Sequence, residues 1–213
     1  MEQLRYLNFG EEYIEEGMIL HLDGINNTRN GHSTTTTTWE DISGNNNDFT
    51  KLSGASNAIW SDNSYVGNET NKTLTLNKAI LSSANECTVE VCYDVPEIKD
   101  YYWVFQSRQS TNPPNGFQIG VDSNCRFVDL FISNSIYNKI SSFKNIKDIN
   151  KKTMAFAVDN NNVIFSDNCQ FYTEEAKEGI INSIIQRDVY SIGSTSPWGR
   201  IGNFKGNIFY KNI

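Results

Sequence analysis

Glu90, Asp94 and Glu97 are the acidic side chains that lie closest to a catalytic arrangement. Two carboxyls can cleave a glycosidic bond when they stand about 5 to 5.5 Å apart for retention, or about 6.5 to 9.5 Å for inversion. Glu90 and Asp94 share a face of an alternating strand, but a four-residue spacing on a regular strand separates them by roughly 13 Å. Only a bulge brings them within reach, so they read as solvent-facing sheet residues and the chain as a non-enzyme. His21 and His32 are the only histidines, and His21 alternates within an apolar strand, as a sheet residue rather than a base does. No Gly-x-Ser-x-Gly elbow and no glycine-rich loop between strand and helix occurs, which leaves acyl and phosphoryl transfer without their residues.

Metal ligation has two places to look. Cys87, Cys92, Cys125 and Cys169 form no Cys-x-x-Cys pair and have no histidine nearby, so zinc lacks a ligand set. Cys87 and Cys92 are five apart on one strand and point to opposite faces. Free, partly buried thiols are expected, with a link between Cys125 and Cys169 left open. The second place is the segment around Trp39-Glu40-Asp41-Ile42-Ser43-Gly44-Asn45. Ser43-Gly44-Asn45 suits a tight turn, because glycine tolerates positive φ and its neighbours hydrogen-bond their own backbone. A structural corner plugged by Trp39 is the favoured reading. The alternative is calcium, which takes six to eight oxygens at about 2.3 to 2.6 Å; Asp23, Asp41, Asn45, Asn47 and Asp48 could supply some of them. No other cofactor is expected.

Recognition chemistry is better supplied. Sugars stack on aromatic rings while Asn, Asp and Arg bond their hydroxyls. Trp198 lies in Ser194–Arg200, where Pro197 and Gly199 interrupt any strand, and Arg200 could bond the same ligand. Trp60, ahead of the polar Ser61-Asp62-Asn63-Ser64, is a second candidate. Tyr101, Tyr102 and Trp103 are consecutive, so a strand turns at least one outward, and Tyr101 is assigned to the ligand. Trp39 and Trp103 are expected to pack in the core.

The elements that must position these residues are strands. GMILHLD (17–23), 88–95, 100–106, 116–121, 126–133, 153–158, 162–166, 189–193 and 206–210 are short β-rich runs separated by Asn, Gly, Ser and Asp. In 88–95, Val89, Val91, Tyr93 and Val95 fall on one face, and Thr88, Glu90, Cys92 and Asp94 on the other. One helix is predicted over Glu174–Ile185, capped by Thr173 with acidic residues in its first turn and weakened by Gly179. The 213 residues suit a single sandwich with one core, able to bury roughly 70% of its unfolded surface without disulfides or metals.

Charge and hydropathy exclude several partners. Lys and Arg number 18 against 25 Asp and Glu, a net charge of -7, with no basic cluster interleaved with aromatics. Nucleic acid and anionic membranes draw on such a cluster. The apolar runs 101–105 and 154–158 fall far short of the ~20 residues of a membrane helix. Met1-Glu2-Gln3-Leu4-Arg5 is not a secretory signal, so an extracellular or virion-surface location implies carriage by a larger particle, or a mature piece.

Four pieces in sequence carry a resemblance. Gly17-Met18-Ile19-Leu20-His21-Leu22-Asp23-Gly24, followed by Trp39-Glu40-Asp41-Ile42-Ser43-Gly44-Asn45, resembles the opening of laminin-G-like domains of the concanavalin A-like class in bacterial and phage surface proteins. Thr88-Val89-Glu90-Val91, Ser191-Ile192-Gly193 and the run Phe204 to Ile213 agree in order, the last looking like that family's closing strand. The resemblance covers Gly17 to the end, leaving residues 1–16 as an extension or linker and 17–213 as the domain. It implies an all-β, two-sheet antiparallel sandwich of jelly-roll type with at most one short helix. Glycosidases of this class carry a Glu-x-Asp-x-x-Glu cluster, and Cys92 stands where the central Asp of that cluster would fall. The implied function is a carbohydrate-binding adhesion module of a bacterial or phage surface assembly, taking a glycan or cell-surface polysaccharide. The alternatives are a structural or decoration domain contacting other subunits of a virion or surface assembly, and, last, a glycoside hydrolase.

Overall fold

A computed structural model describes residues 17–53, 55, 57, 59–68, 73–95, 102–108, 115–121, 126–134, 136–140, 152–167, 170–176, 178–185, 187, 189–193 and 205–212. The first six strands are short: β1 (His21–Asp23), β2 (Thr38–Trp39), β3 (Phe49–Lys51), β4 (Ile59–Ser61), β5 (Ser64–Asn68) and β6 (Leu74–Asn77). The middle of the chain forms β7 (Cys87–Asp94), β8 (Tyr102–Arg108), β9 (Gly116–Val121), β10 (Arg126–Asn134) and β11 (Ile136–Ile140). Then come β12 (Lys152–Val158), β13 (Asn162–Asp167), β14 (Gln170–Glu175), α1 (Ile180–Ile185), β15 (Val189–Ile192) and β16 (Lys205–Asn212).

These strands build two antiparallel sheets, an all-β sandwich. The first has the order β14-β13-β12-β7-β16-β5-β4, with β1 also pairing β16; the second runs β11-β10-β9-β8-β15-β6-β3-β2. Period-two alternation decides which side of each strand is buried. Val89, Val91 and Tyr93 of β7 enter the core while Thr88 is exposed. Phe117, Ile119 and Val121 do the same from β9, and Val128 and Leu130 from β10. Phe117 meets Phe156 of the opposite sheet edge to face at 5.1 Å, and Phe105 touches Phe117 at 5.4 Å and Phe49 at 6.1 Å between centroids. Such contacts add about 0.5 to 1.5 kcal/mol each beyond the area they bury.

The helix predicted over Glu174–Ile185 is corrected. Residues through Glu175 belong to β14, whose Phe171, Tyr172 and Thr173 pair with Ser166, Phe165 and Ile164. Aromatic and β-branched side chains favour that pairing over a helix cap. Gly179, at φ +83, turns the chain into α1, which has no acidic residue in its first turn. The helix packs on β10 and β9, burying Ile180, Ile181 and Ile184, and the Ser183 hydroxyl donates to the Phe131 carbonyl at 2.5 Å.

Cys87 and Cys92 are buried, Cys87 in the core. Burial pushes the Cys87 thiol up to about 12, which keeps it protonated and unreactive. Cys125 and Cys169 lie outside the described residues.

Candidate functional site

The first loop folds back as a corner built around one carboxylate. Asp41 is fully buried, and its Oδ1 accepts the backbone N–H of His21 and of Ser43, each at 2.9 Å. Its Oδ2 accepts the N–H of Asn47, also at 2.9 Å. Gly44 at φ +92 and Asn46 at φ 56 supply the left-handed turns that let the backbone wrap round this group. Trp39 plugs the corner from beneath: it is fully buried, donates from Nε1 to the Asp23 carbonyl at 2.9 Å, and meets the edge of Trp60 at 5.1 Å.

The other oxygens considered for calcium serve the same corner. Asp23 accepts from the Ile25 N–H and the Asn26 amide, both at 2.9 Å. Asn45 donates to the Met18 carbonyl at 2.9 Å, and Asn47 donates to the Ile19 carbonyl at 2.7 Å while accepting the Lys78 ammonium at 2.6 Å. Asp48 Oδ1 accepts the Asp41 N–H at 2.8 Å and pairs with Arg29. Among the described residues no group of three or more His, Cys, Asp or Glu is placed to hold a metal ion. Asp23, Asp41, Asn45 and Asn47 thus form a hydrogen-bonded corner in which the Asp23, Asp41 and Asn47 oxygens accept N–H groups and Asn45 takes part as a donor.

His21 ties this corner to pH. Burial lowers its pKa below 6.5, opposed by the nearby Asp23 and Asp41 carboxylates, which raise it. An imidazole that binds its proton less tightly when folded leaves stability intact above the unfolded value and erodes it as the pH falls through the window below 6.5. Urea midpoints measured from pH 7 to pH 5 are expected to fall, and His21→Gln is expected to flatten that decline. An unchanged slope in the variant would assign the acid sensitivity elsewhere.

The carboxylates first considered for hydrolysis stay apart. β7 pairs with β12 in unbroken register from Cys87 to Tyr93. The irregularity beside β7 falls between Ile208 and Tyr210 on β16. Glu90 and Asp94 therefore keep the roughly 13 Å spacing of a regular strand, and Glu97 lies outside the described residues.

The second sheet brings together what no segment of sequence displays. Thr38, Thr50, Thr75, Ser191, Gln106, Gln118 and Asp129 stand in direct cross-strand register from β2 to β10. Their sequence neighbours Trp39, Phe49, Leu74, Tyr190, Phe105, Phe117 and Val128 are in the core, so the polar row occupies the opposite, outer face. Thr50 is exposed and Thr38 half-buried; from Thr75 onward the row is buried, Asp129 to 1% exposure. Exposure along the row thus falls from the β3 end toward β10.

A hydrogen-bond chain fixes the buried end. Trp103 Nε1 donates to Gln118 Oε1 at 3.1 Å, and Gln118 Nε2 donates to Asp129 Oδ2 at 2.8 Å. Trp103 pairs in register with Gly120, and Gly120 with Phe127, so an aromatic row borders the polar one. Trp103 is buried as expected, but on this outer face rather than in the core between the sheets. Gln106, Gln118 and Asp129 were missed as candidates because they come from three strands. The available signal was a polar residue at the outward position of otherwise apolar runs, as in GFQIGV and RFVDLFIS.

Of the aromatic candidates, Trp60 is described, and its expected ligand role is corrected. It is buried, with Nε1 donating to the Thr36 carbonyl at 2.9 Å and its ring packed against Trp39 and Tyr65, so its indole N–H and its ring are already engaged by protein groups. Tyr101, Trp198 and Arg200 lie outside the described residues.

No protein-family model matches the chain, and no curated protein matches it in sequence. Solved structures do match. Domain 4 of AbnA, a GH43 extracellular arabinanase from Geobacillus stearothermophilus, in complex with arabinotriose, superposes with a TM-score of 0.66 at 16% identity, over 92% of this chain and 90% of that one. A botulinum neurotoxin type C structure, described for cell entry dependent on two ganglioside molecules, gives a TM-score of 0.65 at 15% identity, covering 94% of this chain and 47% of that one. The binding domain of botulinum neurotoxin DC in complex with rat synaptotagmin II gives 0.63 at 15%, over 93% and 47%. The chain spans about half the length of these neurotoxin domains. At such identities the likeness establishes the fold alone, an antiparallel β-sandwich.

Proposed function

We propose that the chain is a non-catalytic carbohydrate-binding module of laminin-G-like type that takes a neutral oligosaccharide along the outer face of its second sheet. The observation that carries this reading is the polar row from Thr75 through Ser191, Gln106 and Gln118 to Asp129, set beside Trp103 on the face turned away from the core. Hydroxyl and amide side chains next to aromatic rings are the groups that sugars require. Hydrolysis requires two carboxyls, and Asp129 is the single carboxylate in that row. The arabinanase domain adds support, because it matches over nearly its whole length and its structure contains arabinotriose. The neurotoxin domains add less, since the chain spans about half of each.

Trp198, Arg200 and Tyr101 are proposed as further contacts to the same ligand. The parent is a surface protein of a bacterium or phage, and the module works outside the cell or on a virion.

Titration with arabinotriose and with an array of neutral glycans tests this reading. Saturable binding without release of reducing ends is expected, and Trp198→Ala should weaken it by roughly tenfold, the worth of one stacked ring. A protein that binds no glycan on the array is a structural domain, and hydrolysis that disappears in Glu90→Gln would make it an enzyme.

A further inference from the structure

One side chain in the outer row is left without an answer from its neighbours. Gln118 is fully engaged, accepting from Trp103 and donating to Asp129. Gln106 stands between Gln118 and Ser191 in register. It is only 5% exposed, and its Oε1 has no hydrogen-bond partner. Native proteins rarely leave a buried amide oxygen unmatched, because it bears the full loss of its hydration.

We infer that Gln106 is the specificity-determining contact of the glycan site proposed above, its Oε1 accepting a hydrogen bond from a hydroxyl of a bound neutral saccharide. The inference rests on that reading. Three features of the row support it. An unmatched acceptor calls for a donor, and saccharide hydroxyls are donors that can also accept from the Ser191 and Thr75 hydroxyls in line with it. Neighbouring positions in the row lie about 4.8 Å apart, the separation of adjacent strands, so an extended sugar chain laid across the strands meets one polar group per strand. Exposure falls along the row from Thr50 to the buried end. The amide needs only to turn about its last side-chain torsion, which is a broad coordinate, to present its oxygen to a group lying along that row.

Gln106→Met tests this directly, since it keeps the length of the side chain and removes the amide. Without ligand, the variant should melt roughly 2 to 4 °C higher, because an unmatched buried polar group has been replaced by an apolar one. Its affinity for arabinotriose, or for the tightest neutral glycan on the array, should fall about tenfold or more. Gln106→Leu repeats both measurements with a different shape. Full affinity in the two variants alongside a binding wild type would overturn the role of Gln106 and leave the glycan reading standing. Lower melting temperatures or loss of folding in both would give the amide a structural partner, and would likewise overturn it. A wild type that binds none of the glycans removes both proposals together.

Discussion

Asp41→Ala is expected to destabilise the fold by about 3 to 5 kcal/mol, because three backbone N–H groups lose their acceptor at once and each unsatisfied buried group costs about 1 to 3 kcal/mol. The carboxylate is fully buried and accepts three backbone N–H groups, from His21, Ser43 and Asn47. Truncation leaves all three donors in a space too small to hydrate them well, and each hydrogen bond to a charged group is worth about 1.5 to 3 kcal/mol. The sum of three such bonds overstates the effect, because the loop relaxes. Asp41→Asn should cost less than Ala but still be clearly destabilising, since its amide nitrogen sets a donor against one of the N–H groups. Urea unfolding checks both variants, and a loss below about 1 kcal/mol for Asp41→Ala would show that the corner is not organised by this carboxylate.

Gly116→Ala should be at least as damaging, with an expected loss above about 4 kcal/mol or no folded protein at all. A Cβ at this position would stand 1.9 Å from the Ser107 carbonyl oxygen and 2.9 Å from its carbon, both main-chain atoms that cannot swing aside. The residue is also at φ +107, a conformation that an L side chain rarely adopts. Gly116 pairs with Arg108 on β8 and Phe131 on β10, so relief of the clash must spread the ladders on both sides. Gln118 lies two residues along the same strand, and any variant that does fold should therefore also lose the alignment of the outer row. Circular dichroism melts check the first expectation. A melting temperature within a few degrees of the wild type would rule it out.

The long strands could be read from the chain because alternation repeats enough times to be unambiguous. β9 was expected at 116–121 and is found there, and β7, β12 and β13 differ from expectation by one residue or so at their ends. Strands such as β2 and β3 hold two or three residues, too few for a period to show, and only their partners define them. β14 was misread because Thr173-Glu174-Glu175 reads as a helix start in isolation, whereas pairing with β13 decides its conformation. Trp60 was misassigned for a related reason: a tryptophan ahead of a polar turn has the same local sequence whether its ring turns inward or outward. The corner at Ser43-Gly44-Asn45 was legible because turn chemistry is local, whereas Asp41 and Asn47 entered only as possible calcium oxygens, since a backbone N–H partner twenty residues away leaves no mark in the sequence. The outer row was not legible, because Gln106, Gln118 and Asp129 become neighbours only through the register of β8, β9 and β10.

β16 lies in the middle of the first sheet, with β7 on one side and both β1 and β5 on the other. The last strand in sequence order is therefore the seam that joins the two halves of that layer. On a ribosome, β1 and β5 must wait with bare edges until residues 205–212 emerge, so this layer closes late and through contacts distant along the chain, a topology associated with slow folding. Loss of that one segment would divide the layer into two pieces, each exposing a raw edge to aggregation.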